Sequence, residues 1–361
     1  MITSPSPFGS RLRCGVRRVA GMLPRTLPCS PAGAREYRRG AEPVWQYIVK
    51  RVLLMIPTLL GTALVVFVLM HVVPGDTALL ILGSDQGGEV NIQELGRVRK
   101  LLGLDRPLHE QFLAWLWGIV RLDFGTSLWT RAPVLDELLI RFPVSLEIAV
   151  FATLLSTLIA IPLGTLAAIR QDSWIDYLVL VFSIGGLAIP AFWTGILIIL
   201  FLVLYFEWGP PLIFVSLFDD PWENFKQLVW PIVTVGYRNA AVSARLTRST
   251  VLEVMREDYI RTAWAKGLRE RIVVVKHTLK NAMLPVITII GAEFAFLMGG
   301  LVVTETVFTL NGLGSFVVDA ILHRDLPVVQ TMVLLTAFVI VFVNLVVDLL
   351  YAWLDPRISY H

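Results

Sequence analysis

The chain has 361 residues, of which 56% are hydrophobic and only 16% charged, and its mean hydropathy is +0.70. Soluble domains carry about 25% charged residues, so this chain lacks the polar surface that a water-soluble fold of its size needs. The net charge of +3 argues against a nucleic-acid partner, and Cys14 and Cys29 both lie near the N-terminus, which excludes a disulfide or a cysteine-ligated metal in the apolar body. The composition therefore predicts an all-α polytopic membrane protein.

Residues 1–44 differ from the rest of the chain. They are rich in arginine and proline and contain no apolar run long enough for the core of a signal peptide. We interpret them as a disordered cytoplasmic tail. Two alternatives stay open: translation begins near Trp45, or the segment is an arginine-rich organellar transit peptide.

Six apolar stretches approach or exceed the roughly 20 residues that a helix needs to cross a bilayer. They predict spans at residues 52–73, 144–169, 177–206, 228–244, 283–303 and 328–350. The third is long enough to tilt or bend, at Gly185 and Gly186 or at Pro190. The fourth is the weakest, because Arg238 and Asn239 interrupt it.

The distribution of basic residues predicts the orientation of these spans. Segment 245–280 holds nine Lys and Arg residues against four acidic ones, and such segments stay on the cytoplasmic side. With six spans, both termini are then cytoplasmic, and the long loop 77–143 faces outward. A loop of that length usually has a function, and we interpret it as a platform that receives a solute or its carrier protein. It contains a helix-like stretch at 108–120 whose Trp115 and Trp117 suit the headgroup boundary.

Two spans carry a small residue at every fourth position. Such ladders allow close helix packing in a bilayer, so they predict either contacts within the bundle or a contact with a second membrane subunit. The two ladders are Ala152, Ser156, Ala160 and Gly164, and Gly291, Ala295 and Gly299.

Polar and charged side chains at membrane depth are costly, and they tend to face a cavity or a partner. Arg238 and Asn239 in the fourth span and Glu293 in the fifth are the deepest of these. They predict a translocation pathway, through a contact between Glu293 and Arg238 or through exposure of either residue to a cavity. Simple pairing of helices is the alternative.

Several motifs of catalysis and nucleotide binding are missing from the sequence. It has no Gly-x-x-x-x-Gly-Lys-Ser/Thr loop, no nucleophile elbow and no zinc-protease motif, since Leu113 stands where the second histidine would be. We therefore expect a non-catalytic chain that binds neither ATP nor a metal of its own.

The most informative segment lies between the fourth and fifth spans. Asp258 suits the N-cap of a short helix and Gly267 suits its left-handed terminator, and a second helix at about 270–281 leads back to Leu284 and Pro285. A short amphipathic helix between two spans can dock in a cleft of a soluble partner and pass motion to the bundle.

This segment resembles the cytoplasmic EAA loop of ATP-binding-cassette (ABC) importer permeases. The match to the dipeptide/oligopeptide permease family runs from Asp258 to Leu268, with Arg261 and Thr262 in place of the usual Glu and first Ala. Two further stretches are similar to that family: 47–76, and 304–330 with Asn311 in place of a common Pro. The resemblance covers residues 45–356, and the long outer loop resembles the longer-looped of the family's two permease subunits.

The resemblance implies a type I ABC importer permease fold in a bacterial inner membrane. The implied partners are a homologous second permease, two ATPase subunits that bind ATP and Mg²⁺, an extracytoplasmic solute-binding protein and membrane lipid. The implied domains are the tail 1–44, the first span 45–76, the outer loop 77–143, and a core 144–356 that includes the coupling segment 245–281. We expect coupling to the ATPase through Glu257, Asp258, Tyr259, Ala263 and Gly267.

The expected substrates are dipeptides or oligopeptides, although similar permeases carry nickel, glutathione or oligosaccharides. A secondary transporter or channel that works alone is an alternative, and it would show inverted repeats and broken helices. An intramembrane enzyme is a further alternative, which the missing motifs disfavour.

Overall fold

A computed structural model of the chain describes residues 44–72, 95–97, 100, 105–211 and 213–354. The tail 1–43 and most of the segment 73–104 lie outside the described residues. Within the described ranges the chain is helical, and the β structure there is a single isolated bridge between Thr126 and Pro133. The helices are α1 (Val44–Val72), α2 (Leu108–Val120), α3 (Val134–Ile169), α4 (Trp174–Ala188), α5 (Ala191–Phe206), α6 (Pro221–Met255), α7 (Asp258–Ala265), α8 (Glu270–Gly300), α9 (Val302–Val307), α10 (Leu313–Leu322) and α11 (Leu326–Leu354).

Four helices of the described part are long and apolar enough to cross a membrane: α1, α3, α8 and α11. They correspond to the first, second, fifth and sixth predicted spans; the second and sixth lie wholly inside their helices, and the first and fifth run one and three residues past the helix ends. The third predicted span is present as α4 and α5, which meet at an angle of 98°. The predicted fourth span lies within α6, whose 35 residues fall outside this apolar set, so its crossing of the membrane stays a prediction.

The break between α4 and α5 occurs at Pro190. Proline has no N–H for the helix and disfavours helical geometry in the residue before it, and Ile189 accordingly has extended angles of φ −93° and ψ 122°. Gly185 and Gly186 lie within α4 and pack closely on α6. A Cβ added to Gly186 would lie 2.5 Å from Cβ of Ala241.

Both ladders of small residues pack on helices of the same chain, which confirms the bundle interpretation. Ala152, Ser156, Ala160 and Gly164 are buried in α3, and a Cβ on Gly164 would lie 2.6 Å from the carbonyl oxygen of Ala244 in α6. The second ladder faces α11, because a Cβ on Gly299 would lie 2.8 Å from Cγ2 of Thr336.

The side chains of α6 explain its low hydropathy. Its first turn is fixed by Asp220, whose carboxylate accepts hydrogen bonds from the N–H groups of Trp222 (3.0 Å) and Glu223 (3.2 Å). Beyond that turn, a series of polar side chains is buried against neighbouring helices rather than exposed to lipid: Asn224, Gln227, Thr234, Asn239, Ser243 and Thr247.

Helix α3 is longer than a membrane crossing requires. Its 36 residues span about 54 Å at 1.5 Å per residue, against a hydrocarbon core of about 30 Å. Its first turns reach one end of the bundle, where Val134 and Leu138 share an apolar cluster with Phe308 and Leu313. We call this the α10 end, and the opposite end, which carries α7, the α7 end.

The helix predicted at 108–120 is present as α2. It packs on α1 through Trp115, whose ring centroid lies 5.9 Å from that of Phe67. The side chain of Trp117 is exposed and stacks instead under Arg121, whose guanidinium carbon lies 4.8 Å from the ring centroid.

Candidate functional site

The α7 end is built around a short helix between α6 and α8. Its N-cap is Glu257, which has extended backbone angles, and Asp258 is the first helical residue. The cap was predicted at Asp258, one residue too far along the chain. Neither carboxylate caps a backbone N–H, so both are left exposed at the positive end of the helix dipole.

Gly267 ends α7 as predicted, with a φ of +72°. The Gly267 N–H donates to the carbonyl of Trp264 (2.9 Å) and the Leu268 N–H to that of Ala263 (3.4 Å). This pair of bonds is a Schellman motif, which needs a left-handed residue at the position of Gly267. The motif turns Leu268 back to pack against a cluster formed by Ile260, Ala263 and Val273.

The two faces of α7 have different surroundings. Ile260 is fully buried and Ala263 is 7% exposed, so Ala263, which we expected to contact the ATPase, packs against the rest of this chain. Tyr259 and Trp264 are each 42% exposed. The outward face of α7 is therefore acidic at its start and aromatic along its length.

Tyr259 links α7 to α8. Its hydroxyl accepts a hydrogen bond from Nδ2 of Asn281 (2.7 Å) and donates to the carbonyl of His277 (3.5 Å). His277 lies in residues 273–279, where α8 is π-helical. A π-helical turn is uncommon and is often found at functional sites, and here it carries the side of α8 that α7 contacts.

An ion pair stabilises the same end from the other side. Arg248 in α6 makes two bonds to Asp176 in α4, at 2.5 Å and 2.6 Å, and the Asp172 N–H donates to Asp176 at 3.1 Å. The Asp176 side chain is 2% exposed. Sequence reasoning missed this pair, and its only signal was a lone carboxylate in the first turn of an apolar helix.

An open cleft of about 520 Å³ lies beside this ion pair. It runs from the last turns of α6 to the start of α7, so the exposed carboxylates that begin α7 form part of its wall. Its lining residues are Arg248, Ser249, Leu252, Glu253, Arg256, Glu257 and Asp258.

The three polar residues predicted at membrane depth have different surroundings. Glu293 in α8 accepts a hydrogen bond from Oγ of Ser243 in α6 at 3.0 Å, and the ion pairs of the described residues include none between Glu293 and Arg238. The predicted direct contact is therefore absent. Asn239 is buried with its Nδ2 unpaired, whereas Arg238 is exposed.

The α10 end contains a buried carboxylate that sequence reasoning missed. Glu305 in α9 is fully buried and accepts hydrogen bonds from Oγ of Ser145 (2.6 Å) and from the N–H of Ser315 (2.9 Å). Ser145 in turn accepts from the N–H of Leu313 (2.8 Å). Burial raises the pKa of Glu305, and these hydrogen bonds oppose that shift. The network joins α3, α9 and α10.

A second carboxylate connects this end to the segment before α3. Asp325 is 2% exposed and accepts hydrogen bonds from Oγ of Ser127 (2.5 Å) and the N–H of Trp129 (3.3 Å). The Trp129 ring stacks on His323 with centroids 3.8 Å apart. Glu305 and Asp325 both fall in segment 304–330, where the resemblance was noted but gave no role to either residue.

The apolar spanning helices, the broken pair α4–α5 and the short helix held outside the bundle define a polytopic transport subunit. Comparison with known families agrees. The profile described as binding-protein-dependent transport system inner membrane component matches residues 160–360, and the profile of its N-terminal part matches 44–149. The chain belongs to this family, and it is a multi-pass inner-membrane permease of an ABC importer.

Two curated relatives align over 314 residues, which is 87% of this chain and 99% of each relative. One is the glutathione transport system permease protein GsiC of Salmonella paratyphi A, with 41% identity. The other is the protein of the same name from Escherichia coli K12, with 40% identity. The resemblance to ABC importer permeases drawn from the sequence is thus confirmed.

Proposed function

We propose that this chain forms half of a translocation pathway for small peptides, glutathione among them, and that separate ATPase subunits drive it. The observation that carries the proposal is the attachment of α7. The helix has one exposed face and is fastened on its other side to α8, so a force applied to it would reach a membrane helix directly.

The proposed partners are a homologous second permease, two ATPase subunits that hold ATP and Mg²⁺, and a solute-binding protein. The chain itself is non-catalytic and binds no cofactor. The α7 end and both termini lie in the cytoplasm, because the excess of Lys and Arg in segment 245–280 favours that side of the membrane. The α10 end faces the binding protein. Coupling residues are Glu257, Asp258 and Tyr259 on the exposed side of α7, with Ala263 and Gly267 holding its position.

In the proposed mechanism, closure of the ATPase pair on ATP pulls α7. Tyr259 and the cluster of Ile260 and Val273 transfer that displacement to the π-helical start of α8. The bundle then changes between an inward-open and an outward-open state, and ATP binding shifts the balance of the two. The buried networks of Glu305 and Asp325 keep the α10 end together during the change.

The identity to two glutathione permeases supports glutathione, a tripeptide, as a substrate alongside dipeptides and oligopeptides. Nickel and oligosaccharide fit less well, because neither relative is named for them. Arg238, Asn239 and Glu293 supply charged and amide groups at membrane depth that suit a zwitterionic peptide.

The decisive experiment reconstitutes the chain in proteoliposomes alone and with its second permease, ATPase subunits and binding protein. We expect ATP-dependent uptake of radiolabelled glutathione or trialanine only in the complete assembly. Uptake by the chain alone would instead establish a secondary transporter or channel. A complete assembly that hydrolyses ATP in response to loaded binding protein, but takes up neither peptide, would refute the peptide assignment alone.

A further inference from the structure

One face of α6 changes character halfway along the helix. Gln227, Pro231 and Thr234 occupy this face towards the α10 end, and all three are buried. From residue 238 onwards, helical periodicity brings a new set of side chains to the same face. Arg238, Arg245, Ser249 and Arg256 are exposed, and Val242 between them is half-buried.

The packing of α6 on α3 shows how deep in the membrane this face of α6 changes from buried to exposed side chains. A Cβ on Gly236 would lie 3.0 Å from Cδ2 of Leu155 and 3.4 Å from the carbonyl oxygen of Ala152. These residues lie near the middle of the span predicted at 144–169. Arg238, half a turn beyond Gly236, is therefore close to the bilayer midplane, and Arg256 lies about 27 Å further along the helix axis.

The charge on this face is not neutralised by ion pairs within the described residues. The ion pairs found there include Arg248 but none of Arg238, Arg245 or Arg256. The carboxylate of Glu293 accepts a hydrogen bond from Ser243 rather than from Arg238. At the α7 end, Glu253, Glu257 and Asp258 line the same cleft as Arg256, so carboxylates lie near these arginines at that end of the face. An exposed arginine at the midplane is costly in lipid, so it faces water or a partner.

We propose that Arg238, Arg245 and Arg256, the arginine track, line a water-filled half-channel that opens towards the α7 end and favours anionic solutes. The proposal rests on the transport function proposed above and adds the chemical class that the pathway prefers. A guanidinium binds a carboxylate through two parallel hydrogen bonds. Arg238 and Arg245 are about 10.5 Å apart along the helix, so a peptide carboxylate can pass from one to the next.

The test uses Val242→Cys, which places a thiol between Arg238 and Arg245, in a chain whose Cys14 and Cys29 are replaced by Ser. The complete transporter is assembled in lipid nanodiscs. The rates of thiol modification are then measured with anionic sulfonatoethyl methanethiosulfonate and cationic trimethylammonioethyl methanethiosulfonate. Neither measurement requires ATP or a transported solute, so the result is independent of whether the uptake experiment succeeds.

We expect both reagents to modify the thiol, and the anionic reagent to be favoured. Adding Arg238→Gln and Arg245→Gln lowers the anionic-to-cationic rate ratio about tenfold, as expected for removing two charges within about 10 Å. The charge-retaining Arg238→Lys keeps most of the ratio. Lys226→Gln, on the same helix at its other end, leaves the ratio unchanged. Leu197→Cys, at an exposed apolar position near the middle of α5, reacts with neither reagent.

Three outcomes overturn the proposal. An unreactive thiol at 242 in the assembled transporter means that the face is covered by the partner permease or by lipid. An unchanged ratio in the glutamine variants means that the arginines do not set the local potential. Loss of subunit association in Arg238→Lys and Arg238→Gln alike means that Arg238 is an interface residue.

Discussion

Replacing Gly267 isolates the backbone geometry that holds α7 in place. A Cβ at this position would meet nothing within 4 Å in this chain, so a side chain causes no clash, and the cost comes from the φ of +72°. A left-handed conformation costs an L-residue about 1–2 kcal/mol relative to glycine. This cost reduces the ratio of ordered to disordered α7 ends about 5- to 30-fold. Asn tolerates the conformation better than Ala, and the β-branched Val tolerates it least.

The series Gly267→Asn, Gly267→Ala and Gly267→Val therefore predicts a graded loss. Amide exchange of residues 259–268 should accelerate in that order, because the Leu268 N–H loses its partner, the carbonyl of Ala263. ATP hydrolysis stimulated by loaded binding protein should fall in the same order in the complete transporter, while membrane levels stay normal. Stimulated hydrolysis at the full rate in Gly267→Val would refute the coupling role. Equal losses in Asn and Val would show that an ATPase subunit contacts position 267 directly.

Three other predictions concern the packing and the buried charges. Arg248→Ala should lower the free energy of unfolding by about 3 kcal/mol, because it leaves the buried Asp176 carboxylate without its partner; this is near the lower limit for a broken buried pair, since Arg248 keeps 20% exposure. The apolar double variant Asp176→Leu/Arg248→Met should recover most of the lost melting temperature. A double variant as unstable as Arg248→Ala would contradict the ion-pair account. Burial raises the folded-state pKa of Glu305 above the ordinary value of 4.5, so the stability that protonated Glu305 contributes is complete below pH 4.5 and is lost as the pH rises through the folded-state pKa. The melting temperature of the wild type minus that of Glu305→Gln should therefore decrease with increasing pH. A difference that does not change with pH would disprove the shift. Gly164→Leu should prevent close packing of α3 on α6 and reduce the folded yield in detergent, whereas Gly61→Leu, where a Cβ meets nothing within 4 Å, should fold; equal yields would contradict the packing argument.

Features that depend on local chemistry could be predicted from the sequence. The apolar runs predicted the spanning helices, and Gly267 predicted where α7 ends. The start of α7 was displaced by one residue, because Asp is the better capping residue in general but neither Glu257 nor Asp258 caps a backbone N–H here. The bend after α4 was assigned to three residues, and the structure identifies Pro190 as the cause, because Ile189 before it is extended whereas Gly185 and Gly186 pack within α4 against α6.

Features that depend on distant residues could not be predicted in this way. Ser145 and Glu305 are 160 positions apart, and no periodicity connects them. The sequence of α7 does not say which of its faces turns towards the rest of the chain. The inward position of Ala263 is shown by its packing against Val273, which lies in another helix. The arginine track was recognised because Gln227 and Thr234, on the same face of α6, are buried whereas the arginines are exposed. A sequence does not contain this difference in burial.

The continuous course of α3 has a consequence for biogenesis. The two family profiles divide this chain between residues 149 and 160, yet that interval lies inside one uninterrupted helix. Ser145 leaves the ribosome long before Glu305, so its hydroxyl enters the translocon without its final acceptor. The packing of the first half of the protein is therefore completed only after the last third has been synthesised, and a nascent chain that stops before α9 leaves the Ser145 hydroxyl without the acceptor it has in the folded protein.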